Sequence, residues 1–218
     1  ALKLCAGSAE EAPVSIAQDS VDVSPVLGQQ QHIKFKDLRV IEIIKYLNVK
    51  KASGPDNIAN RILKNLPLST IKLLTMIFNA CMMISYFPVK WKIGKIIPIA
   101  KSNGDPTNPK SYRPISLLSN IGKIFERLIL ERLQCFETLN KIFIPQQFGF
   151  RNEHSTVHQI LRITEDAALG FNKNQSTGLV LLDLEKAFDS VWHDGLIHKL
   201  SELKTPLPLL GIISSYLC

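Results

Sequence analysis

No run of about 18 apolar residues occurs anywhere in the chain, so no segment reads as a membrane-crossing helix. The opening stretch, ALKLCAGSAEEAP, has an apolar run too short for a secretory signal. Cysteine is scarce and scattered: Cys5, Cys81, Cys135 and Cys218 form no CxxC pair and no His/Cys cluster. That excludes a zinc framework and a disulfide-dense secreted scaffold, and leaves a reducing compartment as the default. His154 and His158 stand four apart, but no Glu lies between them in an HExxH pattern and no third ligand is evident, so they read as surface or groove histidines. No repeat or low-complexity tract stands out. Acidic residues are few outside the first 31 positions. Those positions hold Glu10, Glu11, Asp19 and Asp22 against Lys3, a net of 1 − 4 = −3. The chain carries +7, so the remainder carries +7 − (−3) = +10. A basic body of ordinary globular composition suits a polyanionic partner, nucleic acid ahead of an anionic membrane surface.

What is present has a clear order. Residues 1–34 lack any period and read as a linker or poorly ordered arm. Leu38, Ile41, Ile44 and Leu47 recur at helical spacing and predict a helix over roughly 36–47. The Ser53-Gly54-Pro55-Asp56 turn follows, with Asp56 as candidate cap for a helix over about 57–65. A third helix is expected over about 69–86, capped by Ser69. Lys95–Ala100 and RPISLL, Arg113–Leu118, are strands. The loop KSNGDPTNPKSY joins them into a hairpin, with Pro98 at an edge. The stretch SNIGKIFERLILERLQCFETLN is an amphipathic helix, with Ile124, Leu128, Ile129 and Leu133 on one side. After the connector IPQQFGFR comes a helix capped by Ser155, then a strand over Leu179–Asp183. A turn or short helix from Glu185 and a helix over 196–203 complete the pattern, which is α+β.

Two places carry chemistry. Between Lys90 and Arg113 stand Lys90, Lys92, Lys95, Lys101, Lys110 and Arg113 against the lone acid Asp105. A loop flanked by Lys101 and Arg113 suits phosphate oxygens, which Arg grips with a planar fork and Lys with a point charge; a solvated basic loop is the alternative. The second place is TGLVLLDLEKAFDSVWH, where four apolar residues run into Asp183. A carboxylate at a strand end, with the Leu184 carbonyl beside it, offers the oxygen ligands Mg²⁺ prefers, and Glu185, Asp189 and Asp194 are the nearest further carboxylates. The same acids also suit the first turn of a helix. Phe148 and Phe150 bracket Gly149 before Arg151 and either meet template bases or anchor the connector in the core, the core being the simpler reading.

Five stretches in order, KKASGPDNI, WKIGKIIPIAK, SYRPISLLSNIGKIFERLILERL, IPQQFGFRNEHSTVHQILRI and LLDLEKAFDSVWHDGL, resemble the reverse transcriptase domain of non-LTR (LINE-like, jockey-like) retrotransposons. The resemblance covers about two-thirds of the chain. It implies an RNA-directed DNA polymerase of right-hand form, with fingers over about 35–176 and the start of the palm over about 177–218. It implies that Asp183 is the first catalytic, metal-binding aspartate and that the Leu184 carbonyl is a further metal ligand. Lys101 and Arg113 correspond to residues that contact the incoming triphosphate. Phe188 corresponds to the gate that excludes a 2′-hydroxyl, and Gln147, Phe148, Gly149 and Arg151 to a template-associated segment. Implied with them are two Mg²⁺ ions (or Mn²⁺), an RNA template, a DNA primer, deoxynucleoside triphosphates, an upstream endonuclease domain, no membrane partner, and an intracellular place in the nucleus or cytoplasm.

The sequence departs from that pattern in two ways. Asn57 takes the last place of a turn that is more often Gly-Pro-Asp-Gly, and Asn tolerates the same backbone. No Asp-Asp pair occurs anywhere, and the family's other two catalytic aspartates lie in such a pair. With no initiator Met and an apolar end, GIISSYLC, the chain reads as a piece of a longer polymerase, inactive alone and poorly suited to fold alone. A non-catalytic nucleic-acid-binding remnant is the alternative function.

Overall fold

The computed structural model describes residues 34–102, 105–184 and 187–218, with only the backbone described for Lys110. The arm expected over residues 1–34 thus lies outside the described residues up to residue 33, as do Asn103 and Gly104 in the hairpin loop. Glu185 and Lys186, where a turn or short helix is expected, also lie outside them. In chain order the elements are α1 (Asp37–Lys45), α2 (Asn60–Lys64), α3 (Leu68–Met83), α4 (Val89–Lys92), β1 (Lys95–Ala100), β2 (Tyr112–Leu117), α5 (Asn120–Asn140), α6 (Thr156–Asn172), α7 (His193–Glu202) and α8 (Leu207–Leu217). They fall into two compact units. One comprises the described residues up to Leu133 together with Trp192–Cys218, and the other Gln134–Val191.

The first unit holds the core. Helix α1 buries Val40, Ile43 and Ile44, α3 buries Ile71, Leu74, Phe78, Cys81 and Met82, and α5 buries Ile124, Phe125 and Leu128. Each set recurs at intervals of three or four, which puts it on one face of its helix. Phe125 is the hub. Its ring stacks on Phe78 at 5.1 Å and Phe87 at 5.3 Å and meets Trp91 at 5.8 Å and Phe35 at 6.2 Å. Polar clamps tie the helices together. Arg39 donates from Nε and Nη2 to the two oxygens of Glu131 at 2.8 and 2.6 Å, a bidentate pair between α1 and α5. The Asn79 side chain accepts from the Phe35 N–H at 2.6 Å and donates to its carbonyl at 3.1 Å.

The apolar C-terminal stretch is a helix whose Leu209 and Ile212 are buried in this core. The Phe87 N–H donates to Ser215 Oγ at 2.9 Å, and the Tyr216 ring packs edge-on against Phe87 at 4.7 Å. The Tyr216 hydroxyl donates to Glu126 Oε1 at 3.1 Å, and burial pushes the Glu126 carboxyl above its ordinary value.

Two predicted caps are corrected. Helix α2 starts at Asn60 rather than 57, with Ala59 as the flanking residue, and α3 starts at Leu68 behind Pro67. Asp56 is occupied elsewhere: its Oδ1 accepts from the Ile58 N–H at 3.2 Å and its Oδ2 from the Ser119 hydroxyl at 2.6 Å. Pro at the flanking position fixes an extended backbone before α3, which leaves Ser69 inside the first turn. By contrast, Ser155 caps α6 as expected and accepts from the His158 N–H at 3.4 Å. The helices expected over 36–47, over 119–140 and over 196–203 all form, with bounds shifted by a few residues.

Candidate functional site

The basic hairpin forms as its sequence predicts. Strands β1 and β2 pair antiparallel, with Ile97 opposite Ile115, Pro98 opposite Pro114 and Ile99 opposite Arg113. The two prolines oppose one another where the ladder alternation requires no N–H from either, so both are tolerated. Beyond β1 the Lys101 N–H donates to the Ser111 carbonyl at 2.8 Å, which continues the pairing one step. Arg113 shares a face with its partner Ile99. Lys101, two residues past Ile99, is on that face again. Both cations are exposed. Asp105, the only acid in the loop, accepts from the backbone N–H and hydroxyl of Thr107 at 2.9 and 2.7 Å. Those bonds hold its carboxyl below the ordinary range.

The hairpin is anchored at its base by the turn over residues 53–57. A Cβ on Gly54 would stand 2.5 Å from the Leu118 carbonyl carbon and 2.6 Å from the Ser119 nitrogen, so only glycine lets the two backbones approach this closely. Asn57 adopts φ 55°, the left-handed conformation that asparagine tolerates. Asp56 grips Ser119, and Asn120 Nδ2 donates to the Ile58 carbonyl at 2.8 Å. These contacts fix the corner between β2 and α5.

In the second unit the connector is tied by Arg151. Its Nη1 donates to the carbonyls of Ile144 and Gln147 at 3.2 and 3.1 Å, and its guanidinium lies 5.6 Å from the Phe143 ring centroid. Gln147 turns its amide toward the Gly149 carbonyl at 3.5 Å, and the space around Gly149 is open. The aromatic pair splits. Phe148 is half-buried and meets the His154 ring at 5.1 Å. Phe150 is 75% exposed and meets Phe188 edge-on at 5.8 Å, which corrects the reading that places it in the core. His154 precedes α6 while His158 lies in its first turn, so the two do not share a helical face.

The strand expected over Leu179–Asp183 does not form. These residues have no ladder partners, and Val180, Leu181 and Leu182 are 82, 82 and 92% exposed. A run apolar on both faces is a strand only between sheet neighbours, and the single sheet among the described residues is the two-stranded hairpin. Asp183 is exposed, and its Oδ1 accepts from the Leu184 N–H at 3.0 Å. Asp189 is exposed too. Asp194 stands in the first turn of α7, where the helix dipole favours an acid.

The donor chemistry of Asp183 and the Leu184 carbonyl suits a hard divalent cation, but the number of donors does not make a site. Among the described residues no group of three His, Cys, Asp or Glu side chains converges. No described helix is long and apolar enough to cross a membrane.

Three features escaped the sequence reading: the Asp56–Ser119 grip, the Tyr216–Glu126 bond and the Phe150–Phe188 contact. The first two join residues 63 and 90 positions apart and leave no local signal. The third depends on the left-handed backbone of Phe150, which leaves no signal in the sequence.

Residues 99–217 match the reverse transcriptase (RNA-dependent DNA polymerase) family. Relatives from Drosophila melanogaster include a probable RNA-directed DNA polymerase from transposon BS, 43% identical over 86% of this chain and 21% of that protein. The probable RNA-directed DNA polymerase from transposon X-element is 40% identical over 84% and 20%, and the RNA-directed DNA polymerase from mobile element jockey is 41% identical over 82% and 19%. The chain spans about a fifth of the length of these curated relatives. The match begins inside β1 and runs through the hairpin, the connector and the Asp183 stretch; the chain belongs to the reverse transcriptase family.

Proposed function

We propose that the chain is part of an RNA-directed DNA polymerase of a jockey-like non-LTR retrotransposon, extending a DNA primer on an RNA template with deoxynucleoside triphosphates. Its fingers run from about Phe35, and its palm starts near Thr177. The observation that carries this reading is the family match over 99–217, which takes in the basic hairpin, the Gln147–Arg151 connector and the Asp183–Phe188 stretch in order. Lys101 and Arg113, on one face of the hairpin, hold the phosphates of the incoming nucleotide; a fork and a point charge there neutralise the charge that builds on the β- and γ-oxygens. Phe188 meets the sugar. Gln147, Phe148, Gly149 and Arg151 lie along the template, the Arg151 bonds fixing the path of the connector and the open space at Gly149 leaving room for a close approach.

Asp183 and the Leu184 carbonyl contribute oxygen ligands toward a Mg²⁺ or Mn²⁺ site. Divalent ions held there with those further ligands would supply positive charge for the primer hydroxyl and the leaving group. Further carboxylates must complete that site, because this chain supplies no Asp-Asp pair. An endonuclease domain in the same polypeptide and action in the nucleus or cytoplasm belong to the same proposal.

The test is primer extension on an RNA template by a polymerase containing this chain. Lys101→Ala and Arg113→Ala are expected to raise the KM for deoxynucleotides by roughly ten- to a hundredfold each, the equivalent of a lost charge-assisted hydrogen bond. An unchanged KM in both variants would remove the hairpin from nucleotide binding.

A further inference from the structure

We propose that Phe150 is a positioning residue for sugar selection, backing the ring of Phe188. This inference rests on the reading of Phe188 as the sugar gate. A gate excludes a 2′-hydroxyl by occupying the space it needs, so its selectivity depends on how firmly the ring is held. Phe188 lies in a turn and is 44% exposed, which leaves core packing unable to hold it alone. Among the described residues the ring it meets is that of Phe150, centroid to centroid 5.8 Å away at an interplanar angle of 88°. That is the edge-to-face arrangement aromatic quadrupoles prefer.

The backbone of Phe150 points to the same role independently. Its φ is 60°, a left-handed conformation that is rare for a bulky side chain and is adopted at a cost. Burial does not compensate for that cost, because the side chain is 75% exposed. What the conformation achieves is direction. Phe148, two residues earlier, turns toward His154 and is half-buried, while Phe150 turns outward to Phe188. The reversal lies in the left-handed backbone of Phe150 itself, and on its far side Arg151 pins the chain to the carbonyls of Ile144 and Gln147. The strained residue is thus held at its base, with its ring committed to one partner.

The test measures, in a polymerase containing this chain, the ratio of deoxynucleotide to ribonucleotide kcat/KM for Phe188→Val, Phe150→Ala, Phe150→Tyr and the Phe150→Ala/Phe188→Val double variant. Phe188→Val is expected to collapse the ratio. Phe150→Ala is expected to lower it roughly two- to twelvefold, the equivalent of one edge-to-face pair, through a rise in ribonucleotide kcat/KM. Phe150→Tyr, which keeps the ring, should restore it. The double variant should discriminate no worse than Phe188→Val alone, because the backing has nothing left to support. If Phe188→Val relaxes the ratio and Phe150→Ala leaves it at the wild-type value, the gate stands and this inference is overturned. If Phe188→Val itself changes nothing, the gate reading fails and takes the inference with it.

Discussion

Ser119 donates a 2.6 Å hydrogen bond to Asp56, and through it the turn over residues 53–57 grips the corner where β2 gives way to α5. Gly54 lies against the same corner, closer than a Cβ would allow. Gly54→Ala should therefore cost about 1–3 kcal/mol, since two backbones must move apart. Asp56→Ala should cost a similar amount, roughly 1–3 kcal/mol, because it leaves the buried Ser119 hydroxyl without its acceptor. Urea unfolding of the chain checks both. Wild-type midpoints for the two variants would show that the turn is merely adjacent to the corner.

Phe125 and Phe150 make a controlled contrast. Phe125 is fully buried among four aromatic rings, whereas Phe150 is 75% exposed with one. Phe125→Ala should lose about 3–5 kcal/mol of stability, while Phe150→Ala should lose no more than about 1 kcal/mol. Comparable losses, read from the same denaturation curves, would contradict the division between core and gate support.

Glu126 gives the first unit a pH dependence of defined sign. Burial is the leading cause of its raised pKa, opposed by the Tyr216 hydrogen bond and by Lys123. A carboxyl whose folded pKa lies above its unfolded value adds stability that is complete below the unfolded pKa and is lost as pH rises through the folded one. Glu126→Gln keeps an oxygen for the Tyr216 hydroxyl and removes the half-buried charge. The variant should gain on the wild type as pH climbs from about 4 to 7, a window set by the ordinary Glu value and the upward direction of the shift. Thermal melts across that range check it, and a stability difference that stays flat with pH would show that Glu126 is not desolvated.

How legible the fold was depended on where each element finds its partners. The hairpin was readable because β-branched runs flank a loop dense in Asn, Gly, Asp and Pro, and both strands pair locally. The helices α1, α5 and α6 were readable from spacing, and Ser155 from its place before an apolar period. The run at Leu179–Leu182 was misread as a formed strand because four apolar residues state hydrophobicity and not pairing, and no sheet neighbour stands beside them among the described residues. Asp56 was misread as a helix cap because its second partner, Ser119, comes from the far side of the hairpin. The C-terminal apolar stretch was left open because its partners Phe87 and Glu126 lie about a hundred residues upstream. Of the candidate site, the residue types and their order were legible. The direction in which Phe150 turns was not, because it depends on one backbone angle.

The absence of an Asp-Asp pair from the chain carries its own consequence. Residues 1–218 alone should show no measurable RNA-templated primer extension, since Asp183 is exposed and no second and third carboxylate converge on it among the described residues. Robust, Asp183-dependent extension by this chain alone would overturn that expectation.

The most direct test of the central claim is RNA-templated primer extension by a polymerase containing this chain, compared with its Asp183→Asn variant. The substitution keeps size and removes the charge, and Asp183 is exposed, so folding is expected to survive. The wild type is expected to incorporate deoxynucleotides on RNA, and Asp183→Asn to fall by about a thousandfold or more, equivalent to roughly 4 kcal/mol of lost transition-state stabilisation. Extension by Asp183→Asn within a few-fold of the wild type would contradict it.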